Sequence, residues 1–255
     1  ILYNSKDIRH RLQELSVEFS APFEDVSLMK YLAEGTGNSD NLDFCLNYYS
    51  LPIQNRAYGI YALYNIFGDT LDEEEKKLYR DIELPLSVVL FDMEKVGVWV
   101  DGNILNEFSL KYSTELKGLT ERIYQLAGEK FNINSPVQLG KILFEKLKIG
   151  DGGTQKSKVK KNYSTTAEIL EKYAEDYEIV RLLLRYRQIQ KLNSTYVEGF
   201  KPLIAEGKVH TTYNQMNTAT GRLSSANPNL QNIPVRNEEG KELRKIFVSL
   251  IKSEA

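Results

Sequence analysis

The sequence holds one cysteine, Cys45, in 255 residues. A single thiol cannot build a disulfide framework or a multi-cysteine zinc site, and such scarcity suits a reducing cytosol. No apolar run approaches the roughly 20 residues that a membrane helix needs. The longest, Leu84 to Phe91, is broken by Pro85 and Ser87. The first 30 residues carry Lys6, Asp7, Arg9, Arg11 and Glu14, which does not fit a secretory leader. Only two histidines occur. His10 reads as a helix-surface residue and His210 as a strand residue, so neither is taken as catalytic. No internal repeat is evident. What is present is ordinary globular material: 42% hydrophobic and 27% charged residues, which excludes wholesale disorder and suffices for one large domain or two ordinary ones.

The net charge of -2 hides an asymmetry. Residues 1–96 hold 9 Lys and Arg against 17 Asp and Glu, whereas residues 97–255 hold 24 against 18. An acidic part joined to a basic part points to two domains, the second facing something anionic; chance surface charge fits the composition equally well. The chain begins at Ile1 and ends just beyond Ile246-Phe247-Val248, a stretch that should lead into a core. Both ends read as cut points, and the expectation is a piece of a longer protein.

Along the chain, residues 1–67 mix short apolar runs (Ile1 to Tyr3, Val26 to Leu32, Tyr58 to Phe67) with polar loops, and read as part of an α/β unit. The acids Asp72 to Glu75 suit a helix N-terminus, where they offset the dipole. Residues 102–127 form the clearest helix. Leu105, Phe108, Tyr112, Leu116, Leu119, Ile123 and Leu126 recur every three or four positions, with Asp101 to cap the start and Gly128 to end it. Such a seam packs along another helix. A helix start follows at Ser135-Pro136. Another lies near Thr165, where Glu168 completes a capping-box pattern. A further helix covers roughly 176–199. Val209, Thr211, Tyr213 and Gln215 alternate with the period of a strand.

Three segments carry candidate chemistry. Between the two helix starts runs a Gly-rich loop, 150–161, containing Lys156, Lys158, Lys160 and Lys161. Helix N-termini offer free N–H groups and lysines add counterion release, a combination suited to a nucleic-acid backbone; the same lysines also fit a solvated loop. Arg187 and Lys191 share one helix face, with Ser194 and Thr195 beyond; alone, they fit a solvated face. Arg181 and Arg185 read as salt-bridged surface. Finally, residues 218–236 are dense in amides, hydroxyls and arginine. Minor-groove edges present acceptors at every base pair, so Arg, Asn and Gln can donate to them regardless of sequence. A loop of self-satisfied turns has the same composition.

The run Thr220-Gly-Arg-Leu-Ser-Ser, then Asn-Pro-Asn-Leu-Gln-Asn-Ile-Pro-Val-Arg236, with Glu238-Glu239-Gly240 and Arg244-Lys-Ile-Phe247 after it, resembles family A DNA polymerases, the DNA polymerase I group. So do Lys208 to Gln215, Tyr186-Arg187 with Lys191 to Tyr196, Phe131 to Pro136 with Leu143 to Leu147, Tyr163 to Thr166, and Leu84-Pro85 with Met93 to Asp101. The resemblance covers nearly the whole chain, most strongly after residue 80. It implies a multidomain α/β and α+β fold. Residues 1–75 would be a partial, inactive ribonuclease H-like 3′–5′ exonuclease domain, 76–200 a long-helix thumb, and 201–255 the first strands of the palm. It also implies that the chain belongs to a template-directed DNA polymerase of replication and repair, cytoplasmic and nucleoid-associated, gripping primer–template DNA. Arg222 would reach the minor groove at the primer terminus, with Gln231 and Asn232 nearby. Arg187 and Lys191 would hold phosphates, and Lys158, Lys160, Ser164 and Thr165 would sit over the duplex backbone. Ser135, Thr220, Asn229 and Arg236 complete the DNA-binding set.

Two departures accompany the resemblance. The catalytic carboxylates, which would bind Mg²⁺ for in-line phosphoryl transfer, belong to palm motifs that would lie beyond Ala255. The fingers helix that binds the incoming dNTP would lie there too, in the same or a second chain. In the exonuclease-like part, the acid expected after Asn4-Ser5-Lys6 falls on Ile8, or on Asp7 with a one-residue slip, and a Tyr-x-x-x-Asp pattern falls on Asn55 and Gly59. The competing reading is a non-enzymatic DNA-binding module with a thumb-like fold. An active nuclease would need clustered acids upstream of Ile1.

Overall fold

The computed structural model describes residues 1–36, 41–150, 163–235 and 238–249. Five helices open the chain: α1 (Ser5–Glu14), α2 (Val26–Glu34), α3 (Leu42–Tyr48), α4 (Arg56–Thr70) and α5 (Glu73–Leu78). Each starts at an Asn or Asp, namely Asn4, Asp25, Asn41, Asn55 and Asp72, whose side chain accepts a main-chain N–H of the first turn. Each such cap contributes about 1 kcal/mol. The acids at 72–75 form a full capping box, Asp72 with Glu75. A π-helical turn, Tyr79–Glu83, leads into α6 (Leu84–Val96), and Gly97 at φ 70° ends it. The α/β expectation for residues 1–67 is met only in its helices. Extended pairing among its described residues is the single parallel bridge Leu2–Asp25. The runs at Val26 and Tyr58 are helices because the Asx caps start them, and a short apolar run does not by itself distinguish helix from strand.

The short strand β1 (Val98–Trp99) precedes α7 (Gly102–Ala127). Asp101 caps α7 by accepting from the N–H groups of Asn103 and Ile104, and Gly128 closes it at φ 71°. Next come α8 (Pro136–Gly140), with a π-helical continuation over Lys141–Lys146, then α9 (Ala167–Glu171) and α10 (Glu178–Leu192), continued by a π turn over Asn193–Val197. Strands β2 (Ile204–Ala205), β3 (Lys208–Val209), β4 (Thr212–Asn214) and β5 (Ser224–Ala226) follow, and α11 (Glu238–Leu243) closes the described fold. The period-two expectation holds in part: Val209, Thr211 and Gln215 are buried and His210 and Thr212 exposed, but Tyr213 and Asn214 are both half-buried, and the segment is two short strands rather than one.

The chain divides into two compact units. The first comprises residues 1–99 and 208–233. Its core gathers Val26, Leu28, Met29, Cys45, Leu46, Leu63, Phe67 and Tyr79. There the Tyr3 hydroxyl meets the Cys45 sulfur at 3.0 Å. β3 pairs antiparallel with β1, and β4 with β5 in the register Thr212–Ala226, Tyr213–Ser225, Asn214–Ser224. The second unit comprises residues 100–207 and 234–255. In it α7 and α10 pack along one another, as the seam requires. Ile123, Leu139, Leu143, Leu183 and Val180 lie fully buried among their neighbours.

Candidate nucleic-acid interface

In the first unit, the polar segment 218–233 is built on the β4–β5 pair. Among the described residues, no strand lies along the edge of β4 that faces away from β5. Instead, Tyr213 N–H donates to Glu94 Oε1 at 2.6 Å, and its carbonyl accepts from Lys6 Nζ at 2.5 Å. Lys6 and Glu94 pair with each other, and Glu94 is only 6% exposed. A buried ion pair is stable only when its remaining hydrogen-bonding capacity is used. Here Tyr213 and the His10 ring, at 2.5 Å from Glu94 Oε2, use it. His10 thus lies on a helix surface, as expected, but it is tied to that buried acid. His210 is exposed and bonds through Nδ1 to the Glu94 carbonyl.

Beyond β4 the chain turns through Gly221, at φ 71°, a left-handed conformation that favours glycine. Thr218 Oγ1 donates to the Arg222 carbonyl at 2.6 Å and closes the turn. Thr220 and Arg222 are exposed. Among the described residues the Arg222 guanidinium has neither a hydrogen bond nor an ion pair, which leaves five donors for a ligand. Asn229 is occupied differently. Its Oδ1 accepts from the N–H groups of Gln231 and Asn232, the Asx geometry of a self-satisfied turn. Gln231 is exposed and donates through its amide to the Leu223 carbonyl at 2.9 Å. Asn232 is exposed as well.

In the second unit, Ser135 caps α8 by accepting from Gln138 N–H, and Pro136 takes the first helical position, as the sequence indicated. The start at 165 differs from expectation. The cap residue of α9 is Thr166, without a side-chain cap. Thr165 is withdrawn because Arg187 claims it. The guanidinium donates to the Thr165 carbonyl and, at 3.2 Å, to its hydroxyl. Thr165 is buried, and burial lowers the Arg187 pKa from its usual value. Ser164 is half-buried beside it. Lys191, one turn further along α10, is exposed and has no partner among the described residues. Arg185 is ion-paired as expected, to Glu115 and Glu239. Lys158, Lys160 and Arg236 lie outside the described residues.

At the tyrosine position of the Tyr-x-x-x-Asp pattern, Asn55 caps α4. Gly59 is buried so closely that a Cβ would stand 2.4 Å from Leu46 Cδ2. Asp25 is committed to main-chain donors, its two oxygens accepting from Asn4, Ser5 and Ser27. Burial raises the Asp7 pKa, against the lowering effect of Lys6 and His10. Among the described residues no group of three or more His, Cys, Asp or Glu side chains could hold a metal ion.

The sequence signature of DNA polymerase family A matches residues 102–253. DNA polymerase I of Lactococcus lactis subsp. lactis (strain IL1403) is 51% identical over 184 residues, 72% of this chain and 20% of that protein. DNA polymerase I of Caldicellulosiruptor bescii is 40% identical over 260 residues, 97% of this chain and 30% of that protein. The POL domain of Pol1 from M. smegmatis, solved in complex with DNA primer-template and dNTP, superposes with a TM-score of 0.86 at 30% identity, covering 97% of this chain and 45% of that one. The fold is therefore that of part of a polymerase domain, mixed α/β with long helices and small sheets. The chain belongs to DNA polymerase family A, and it spans about a fifth to a third of the length of these full-length relatives.

Proposed function

We propose that this chain is the duplex-gripping part of a DNA-directed DNA polymerase. Residues 76–200 act as its thumb and 201–255 as the start of its palm. The observation that carries the reading is Arg222: an exposed guanidinium without a partner among the described residues, on a turn whose main chain is fixed, in a motif of a family with primer-template and dNTP bound in a solved relative. Such a side chain can donate to purine N3 or pyrimidine O2 at any base pair. Gln231 and Asn232 extend the donor set, and Thr220 adds a hydroxyl. Lys191 contributes a phosphate contact, joined by Lys158, Lys160 and Arg236. Ser135 and Ser164 line the thumb-side approach to the backbone, Thr165 acts there only through its bonds to Arg187, and Asn229 shapes the turn. Phosphate contacts position the duplex while minor-groove donors hold the primer end.

The family's phosphoryl transfer uses divalent metal, Mg²⁺ in this reading, and the described residues offer no grouping that fits it. From the family resemblance, the metal and the incoming dNTP are assigned to carboxylates and fingers outside this chain, and the chain's own contribution is to hold and orient DNA. Residues 1–75 are read as a 3′–5′ exonuclease-like remnant without nuclease activity. Ile8 stands at one acid position, and a side chain at the other, Gly59, would collide with Leu46. No helix among the described residues is long and apolar enough to cross a membrane. The cytoplasmic, nucleoid-associated role is proposed from the family.

The test is binding of a labelled primer–template duplex by fluorescence anisotropy, with single-stranded DNA of the same length as competitor. Preference for the duplex, weakened by Arg222→Ala and by Lys191→Ala, supports the reading. Equal binding of both forms, indifferent to these changes, removes it. Release of nucleotides from the single strand in Mg²⁺ or Mn²⁺, abolished by Asp7→Ala, would restore a nuclease.

A further inference from the structure

We infer that Tyr31 is a positioning residue for Arg222, so that the N-terminal helical segment sets the geometry of the minor-groove contact. The inference rests on the reading of Arg222 as a DNA contact. Tyr31 lies in the last turn of α2 and is 7% exposed. Its hydroxyl donates to the Thr218 carbonyl at 2.7 Å, a bond that joins residues 187 positions apart. Burial, with the Glu83 charge, raises the Tyr31 pKa. The hydroxyl holds the turn at Thr218, four residues before Arg222.

Two further contacts seat the same loop on the N-terminal helices. The Gln215 amide donates to the Glu83 carbonyl at 2.8 Å, and Met216 packs against the core of Leu46 and Phe67. Strand pairing to β5 resumes only at Ser224. Between Met216 and Ser224, the Tyr31 bond and the Thr218–Arg222 bond constrain the turn's main chain before Arg222, and the Gln231 amide holds the Leu223 carbonyl just after it. Arg222 thus has a held base and a free head. A side chain held this way loses less freedom when it binds, which is how preorganisation raises affinity. Removing the Tyr31 hydroxyl while keeping the ring should leave the core packed and release the turn.

The experiment compares wild type, Tyr31→Phe, Arg222→Ala and the double variant. Each is titrated with two primer–template duplexes that differ in one atom: guanine or 3-deazaguanine at the primer 3′ terminus. The deaza base lacks the minor-groove N3 acceptor. For wild type and Arg222→Ala, the expected result is a loss on the order of tenfold when either the acceptor or the guanidinium is removed, with no further loss when both are. Tyr31→Phe should weaken duplex binding several-fold, blunt the deaza effect, and add nothing to Arg222→Ala. Thermal unfolding should shift little. Wild-type affinity and deaza sensitivity in Tyr31→Phe, or losses that simply add in the double variant, would overturn the inference. If Arg222→Ala itself binds normally, it is the DNA-contact role of Arg222 that falls. Amide hydrogen exchange over residues 218–222 then decides the positioning claim: faster in Tyr31→Phe upholds it, unchanged exchange refutes it.

Discussion

Arg187 and Arg222 carry the same guanidinium and answer to the same expectation, yet they stand in opposite circumstances. Arg187 is half-buried on a long helix, with two of its five donors on the main chain and hydroxyl of Thr165. Arg222 is exposed on a glycine turn, with its donors unspent among the described residues. The second unit has an apolar helix seam and uses a cation to fasten the segment leading into α9. The turn region has little apolar packing of its own and is fastened from outside by Tyr31 and Gln215, so its cation stays free. A guanidinium's role is decided by where its hydrogen bonds go, and only then by the motif it sits in.

That contrast can be broken or sharpened by substitution. The largest effect should fall on the seam. Leu143 is fully buried, and Leu143→Ala should cost about 2–5 kcal/mol in denaturant unfolding. Arg222→Ala should leave stability within about 0.5 kcal/mol. In single-turnover incorporation by a polymerase carrying this chain, the same change should slow the reaction on the order of 100-fold, because small misplacements of the primer end are costly. The loss should be greater past a terminal mismatch, and a normal rate with merely weaker DNA binding would reduce Arg222 to a generic anchor. Arg187→Lys keeps the charge but loses the two-point grip on Thr165. It should lower stability by about 1–2 kcal/mol and leave the salt dependence of DNA binding alone. Lys191→Ala should do the reverse, flattening the slope of log K against log[salt] by about 0.9 at unchanged stability. Interchanged results would erase the distinction between fastening and gripping cations.

The smallest effect concerns the acid side of the second unit. The Arg185 hydrogen bond holds the Glu239 carboxyl below its ordinary pKa of 4.5. A depressed carboxylate contributes stability above its ordinary value, and that contribution fades as pH falls through the folded value. Glu239→Gln should therefore cost under about 1 kcal/mol near neutrality, and the gap to wild type should narrow below pH 4.5 in a pH series of melting curves.

What could be read from residues alone followed local rules. Asp101 and Gly128 bound α7 because a cap and a left-handed glycine act over one turn, and Ser135-Pro136 starts α8 for the same reason. Val209, Thr211 and Gln215 are legible as buried positions because burial on a strand has period two. Residues 1–67 were less legible, since Val26 to Leu32 and Tyr58 to Phe67 are short apolar runs whose helical state depends on Asp25 and Asn55 capping them. Thr165 was misplaced as a cap because its partner is 22 residues away. Lys6, Tyr31, Glu83 and Glu94 gave no signal: the bonds by which they hold the turn region cross from 119 to 207 residues of chain, and no spacing rule reaches so far.

The central claim, that this chain grips primer–template DNA through phosphates and minor-groove donors without reading its sequence, is tested most directly by one titration series. Two primer–template duplexes of unrelated sequence are bound at increasing salt, by wild type and by Arg222→Ala. Parallel lines are expected for the two sequences, each phosphate contact adding about -0.9 to the slope, with both lines displaced equally to weaker binding by Arg222→Ala and their slopes kept. Affinity that ignores salt, or a strong preference for one sequence that Arg222→Ala leaves in place, would contradict the account.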